Sequence, residues 1–130
     1  MKKISDKVLD DLQRKVIYLM SGGYCKRCKK HVGVEYIEVA HMFRRRRKTV
    51  RWDMRNVYPL CKNDIRTGKK GCHQIVDNDH IIRTSFMYDV MSEEDIADLQ
   101  RLASLTIKDY PIDRVAIKEN LIKYLEAFNE

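Results

Sequence analysis

Residues 25–41 read CKRCKKHVGVEYIEVAH, and most of what the chain can fold into follows from them. Cys25 and Cys28 form a two-residue-spaced knuckle, which lets two thiolates reach one ion from a tight turn. Behind them the β-branched and aromatic run Val32 to Val39 predicts a strand, followed at its end by Ala40-His41. Farther on, Cys61 and Cys72 bracket a loop over 62–71, rich in Lys, Asp and Gly, that is long enough to bring both to the first pair. The lysines of MKKISDKVLDDLQRK are followed by no apolar core, so no export signal and a cytoplasmic setting are expected. Four cysteines in such a chain argue for metal rather than disulfides. Four thiolates suit a structural Zn2+, whose binding would offset a thin core. His31 or His73 is an alternative to one cysteine, and buried thiols without a metal are the plain alternative to the site.

The remaining elements are read from caps and periodicity. Ser5 suits the N-cap of a helix over about 6–20, with Val8, Leu12 and Val16 on one stripe, Leu9 and Met20 beside it, and Gly22-Gly23 as the stop. Arg44 to Lys48 predicts a loop, Thr49 to Trp52 a returning strand, and Asn56 a turn before Val57-Tyr58-Pro59-Leu60-Cys61. Ile75, Ile82, Phe86 and Val90 recur at helical spacing, predicting one helix from Cys72 to about residue 90. Ser92 with Asp95 opens a helix to about Leu105, and Pro111 suits the first turn of a last helix carrying Val115, Leu121, Leu125 and Phe128.

Charge divides the chain. Over 130 residues, 26 Lys and Arg face 19 Asp and Glu for a net charge of +7, which makes a polyanion the first partner to consider. Residues 1–90 hold 21 of the basic side chains and all the cysteines and histidines, whereas residues 91–130 hold 9 acids against 5 bases. With no apolar run of spanning length, no integral membrane protein is expected. The expected class is α+β, with an N-terminal helix over 1–24, a zinc-bound core over 25–90 and a helical appendage over 91–130. The appendage could cover the core, dimerise or bind a partner protein.

The order of AHMFRR, RWDMRN and LC…CH over residues 25–80 strongly resembles the HNH, or His-Me finger, endonucleases, in particular phage recombination and junction-resolving nucleases with a four-cysteine zinc. That resemblance implies a ββα-metal core and a metal-dependent DNA endonuclease of phage or prophage origin. It makes His41 the general base, for which an imidazole with a near-neutral pKa is suited. Asn56 would orient His41 or pin the loop between the strands, and His73 would hold a catalytic Mg2+ or Mn2+. Asp77 and His80, one and two turns beyond His73 on a continuous helix, are further ligand candidates. Many members carry Asp directly before the base, where this chain has Ala40. Glu38, two residues earlier on the expected strand, is the substitute on the same face. The alternative is a non-catalytic zinc module that binds DNA or assembles a complex, with Ala40 as the trace of lost chemistry.

Arg44, Arg45, Arg46, Arg47 and Lys48, with Arg51 close behind, form the densest charge cluster. Like charges in a row repel, and a nucleic-acid backbone relieves them. The expected partner is DNA, recognised by shape rather than sequence, with RNA left open. His31, beside Lys29 and Lys30, reads as a phosphate neighbour or bystander, and Trp52 as a core residue.

Overall fold

The computed structural model describes residues 3–128; the outer ends of the segments expected at 1–24 and 91–130 lie outside the described residues. Two strands, β1 (Ile37–His41) and β2 (Val57–Cys61), pair antiparallel with Ile37 opposite Cys61 and His41 opposite Val57. Among the described residues five helices accompany them: α1 (Asp6–Ser21), α2 (Cys72–Asn78), α3 (His80–Val90), α4 (Glu93–Ala103) and α5 (Arg114–Phe128). The class is mixed helix and strand. No helix among the described residues is long and apolar enough to cross a membrane.

Helix α1 starts and stops where its capping residues predict. The Ser5 hydroxyl accepts from the Val8 N–H, and Gly22 takes the left-handed conformation at φ 57°. Its buried face keeps part of the expected stripe, since Val16 and the neighbouring Leu9 are buried and Leu12 packs against them. Leu9, Gln13, Val16 and Ile17 face inward, whereas Val8 and Met20 are exposed. A four-residue register begun one position later, with a polar Gln on it, is the reason.

The strand expected over 32–39 begins at Ile37 instead. Gly33 at φ 92° breaks extended structure, and a 3-10 turn over Val34–Tyr36 intervenes, so pairing runs on to His41. Thr49–Trp52 is no strand either. The Val50 N–H donates to Arg47 O and the Asp53 N–H to Val50 O, closing consecutive turns, and the Val50 carbonyl is taken by the Asn56 side chain. The single helix expected over 72–90 is two. Asp79 at φ −120° separates them, and its carboxylate accepts from the Ile81 and Ile82 N–H groups as the cap of α3. Arg83 closes the freed end of α2 by donating to the carbonyls of Val76 and Asp77. The Ser92 cap of α4 forms as expected, and the helix ends at Ala103. The final helix starts at Arg114 rather than at Pro111, because the Asp113 carboxylate caps it through the Ala116 N–H; Val115 and Phe128 on it are exposed.

Two apolar clusters hold these elements. The larger gathers Ile37, Ala40, Leu60, Val76, Phe86 and Leu99, from the sheet and α2, α3 and α4. In the smaller, Leu9 and Val16 of α1 meet Leu121 of α5 around Trp52, which is 3% exposed. Trp52 is a core residue, as expected. Its indole N–H donates to Asp10 at 2.9 Å, and the guanidiniums of Arg51 and Arg114 lie over its ring.

Candidate functional site

The four cysteines converge. Cys25 and Cys28 follow α1, Cys61 ends β2 and Cys72 opens α2, yet their sulfurs all lie within 4.8 Å of one another, and all four are free thiols. A tetrahedral Zn2+ with Zn–S bonds of about 2.3 Å needs sulfur separations of about 3.8 Å, so the donor set fits a structural metal such as zinc. The knuckle is shaped for it. Lys29 takes a left-handed φ of 66°, uncommon for a residue with a side chain, and its N–H closes the turn onto Cys25 O at 3.0 Å. Burial raises the Cys25 thiol, but the N–H groups of Cys28, Cys61 and Arg27 outweigh it and hold the pKa below its ordinary value. Burial pushes the Cys72 thiol up to about 12 despite Arg27, whose guanidinium lies 3.5 Å from the sulfur. Gly71 makes the approach of α2 possible, because a Cβ there would collide with the carbonyls of Lys62 and Cys61, backbone that cannot yield.

Because His73 follows Cys72, the cysteine cluster also sets where that imidazole lies. His73 Nδ1 is 3.2 Å from Glu38 Oε1 on β1, and Nε2 is 3.2 Å from Asp77 Oδ2 one turn along α2. Asp77 is therefore at the site, as is Glu38. Ala40 packs wholly in the larger core. His80 begins α3 beyond the break and is exposed, so the continuous face expected to carry His73, Asp77 and His80 together does not exist.

His41 ends β1 and lines the same cleft, of about 520 Å³, as Glu38, His73 and Asp77. Its Nε2 lies 3.1 Å from Arg51 O. A carbonyl only accepts, so Nε2 carries the ring proton and Nδ1 keeps the lone pair. Burial, then the charges of Arg45 and Arg51, push its pKa down to about 4, against an opposing hydrogen bond to Arg51 O. The ring is neutral at physiological pH.

Asn56, wholly buried, pins the loop between the strands. Its Oδ1 accepts from the Phe43 N–H at 2.7 Å, and its Nδ2 donates to Phe43 O at 3.1 Å and Val50 O at 3.0 Å. These bonds hold the backbone next to Arg51, whose carbonyl orients His41. Of the two roles expected for Asn56, the geometry is that of the loop pin.

The basic loop divides. Arg51 is bound to Asp10 at 2.6 Å, Arg45 to Asp10 at 2.8 Å and Lys48 to Asp6 at 3.1 Å, all acids of α1. Burial raises the Asp10 carboxyl, but Arg51, Trp52 and Arg45 together hold it below the usual range. Arg44 lines the cleft and donates to Asp77 O at 3.2 Å, while Arg46 and Arg47 are exposed. His31 sits edge-on to Tyr24, away from these groups in the hydrogen-bond network.

Two residues of this site were not among the sequence candidates. Asp10 anchors Arg45, Arg51 and Trp52 at once. Gln13, 2% exposed, donates Nε2 to Arg51 O at 3.1 Å, so one carbonyl receives both Gln13 and His41. Gln13 is legible in retrospect as the polar residue four positions from both Leu9 and Ile17 on the buried stripe. Asp10 carries no such signal, since its partners are some 40 positions away. Compared with known proteins, the chain matches no family model, no curated protein and no solved structure.

Proposed function

We propose that the chain is a metal-dependent DNA endonuclease of the HNH type, with β1, β2 and α2 as a ββα-metal unit and the cysteines as its zinc support. One observation carries this reading: His41, its Nε2 3.1 Å from Arg51 O, lines one cleft with a His73–Glu38–Asp77 group. Nδ1 of such a ring takes a proton from water as the water oxygen bonds phosphorus and the P–O bond to the leaving group breaks. Glu38, His73 and Asp77 are oxygen and nitrogen donors of the kind that suit Mg2+ or Mn2+. An ion held there would supply positive charge to the scissile phosphate and the leaving oxygen. Glu38 takes the part that Ala40 cannot. Arg44 and Arg45, on the rim of the cleft, supply positive charge beside it.

A specific feature favours the second reading, a zinc-containing DNA-binding module without catalysis. Both nitrogens of His73 lie 3.2 Å from carboxylates, and the Glu38 contact by itself serves to tie α2 to β1. Cleavage of supercoiled plasmid with Mg2+ or Mn2+ separates the two. Nicking or linearisation that falls about 10²–10⁴-fold in His41→Ala, with zinc content and DNA binding retained, supports the nuclease. Binding without cleavage under either metal supports the module, and equal cleavage by His41→Ala removes that residue as the base.

A further inference from the structure

We propose that the loop joining Cys61 to Cys72 is a second nucleic-acid contact surface, binding duplex phosphates through Lys62, Arg66, Lys69 and Lys70 and touching the duplex with Ile65. The choice of DNA as partner rests on the nuclease reading. The surface itself rests on where positive charge is left unpaired.

The arginine loop is the denser cluster in sequence, but three of its cations are bound to Asp6 and Asp10. Loop 62–71 differs. Among the described residues none of its four cations pairs with a carboxylate. Its single acid, Asp64, is turned to the loop's own backbone, accepting from the Arg66 N–H at 2.9 Å and the Thr67 N–H. Further bonds shape the loop: the Asp64 N–H donates to Lys69 O, the Gly68 N–H to Asp64 O, and the Gly71 N–H to Asn63 Oδ1 at 2.8 Å. Lys69 and Asp64 thus face each other across a closed turn.

That turn presents an apolar tip. Ile65 is 92% exposed, more than any other large hydrophobic residue described. It lines a depression together with Lys62, Glu38, His73 and Asp77, so the loop adjoins the proposed reaction centre, and Lys62 borders the main cleft as well. An aliphatic side chain among unpaired cations matches a duplex, where phosphates take the cations and a base or sugar edge takes the apolar tip. Both ends of the loop are metal-donor cysteines, so the surface keeps its place beside the cleft only while the cluster is intact.

Two full-length variants test this, each first checked for wild-type metal content. In the first, Lys62→Gln, Arg66→Gln, Lys69→Gln and Lys70→Gln are combined; the second is Ile65→Ala. Affinity for a short duplex is measured by anisotropy over a salt series. The combined variant is expected to bind more weakly and to flatten the plot of log affinity against log salt by about 0.9 for each phosphate it no longer neutralises. Ile65→Ala is expected to lower affinity at every salt concentration with the slope unchanged, because an apolar side chain releases no counterions. If the wild type binds and the combined variant keeps its affinity and slope, the surface is overturned while the nuclease reading stands. A flattened slope in a protein that cleaves nothing supports the surface and overturns the nuclease. Wild-type protein that ignores DNA but binds anionic vesicles overturns both.

Discussion

The two histidines of the cleft are held from opposite supports. His73 depends on the cysteine cluster, since it follows Cys72 and reaches Glu38 only because Cys61 and Cys72 are drawn together across Gly71. His41 depends on ordinary packing, because its carbonyl partner is fixed by Gln13 from α1, and by Asn56 through the neighbouring Val50 carbonyl. The α1 side has Leu9, Val16, Trp52 and Leu121 wholly or nearly buried together, with Asp10 and Asp6 pairing its cations. On the cysteine side, residues 62–71 are mostly exposed, and the loop contributes no residue to the larger core. His73 thus adjoins the cysteine cluster directly, whereas His41 touches it only through β1, which shares the larger core with Cys25 and Cys72.

Metal removal should break this comparison most strongly. Purified protein is expected to hold about one zinc per chain, and a chelator should collapse the region of Cys25–Cys28, β2 and α2, because the binding free energy of such a site, about 10–16 kcal/mol in small zinc domains, is folding free energy. Elemental analysis and melting curves with and without chelator measure it, and an unchanged melting profile in zinc-free protein rules the support out. Far-UV circular dichroism should keep a helical remainder from α1 and α5, whose mutual packing involves no cysteine.

Leu121→Ala attacks the other support. A wholly buried Leu truncated in the α1–α5 cluster should cost about 2–5 kcal/mol by chemical denaturation. Metal content should be unchanged, since Leu121 belongs to the cluster without cysteines. Loss of metal in this variant would show that the two supports are one.

Asn56→Ala probes the hinge between them. It leaves Phe43 N–H, Phe43 O and Val50 O without their side-chain partner, at about 1–3 kcal/mol for each group that water cannot reach. Denaturation gives the stability. Under the proposed nuclease reading, cleavage should fall by more than stability predicts, because the backbone beside Arg51 is what the variant releases.

Local chemistry in this chain was legible, and long-range pairing was much less so. The caps Ser5 and Ser92 and the stop at Gly22 follow from residue types at short spacing, and the convergence of Cys25, Cys28, Cys61 and Cys72 from a shared metal chemistry that spans a long separation. Trp52 as core follows from its size. What escaped were places where one residue's local preference overrode the expected pattern: Gly33 delaying β1, Asp79 splitting α2 from α3, Asp113 capping the last helix so that it starts beyond Pro111. The pairing of α1 with the arginine loop escaped for another reason. Asp6 and Asp10 look like ordinary acids of an exposed helix face, and only the fold sets them against Lys48, Arg45 and Arg51.

The smallest effect expected is a pH dependence that comes from His41. Its pKa falls from an ordinary 6.5 to about 4 in the fold, so between those values the unfolded chain binds a proton that the folded chain does not. Stability then rises with pH across that window: the contribution is full above about 6.5 and is lost as pH falls toward 4. Asp6 and Asp10, held below their ordinary 3.8, lose their contribution only at still lower pH, so the two effects separate. Urea denaturation at pH 4.5 and pH 7 should show a smaller difference for His41→Asn than for wild type. NMR of the imidazole nitrogens should find Nε2 protonated and the ring neutral at pH 7, with the second proton added only as pH falls toward 4. A ring that titrates near 6.5 would mean that burial and the Arg45 charge do not act on it as its position in the cleft requires. Gln13→Leu sharpens the point, because it removes the second donor on Arg51 O while leaving the buried stripe apolar. A drift of the His41 titration toward its ordinary value in that variant would identify α1 as a support that keeps this ring neutral.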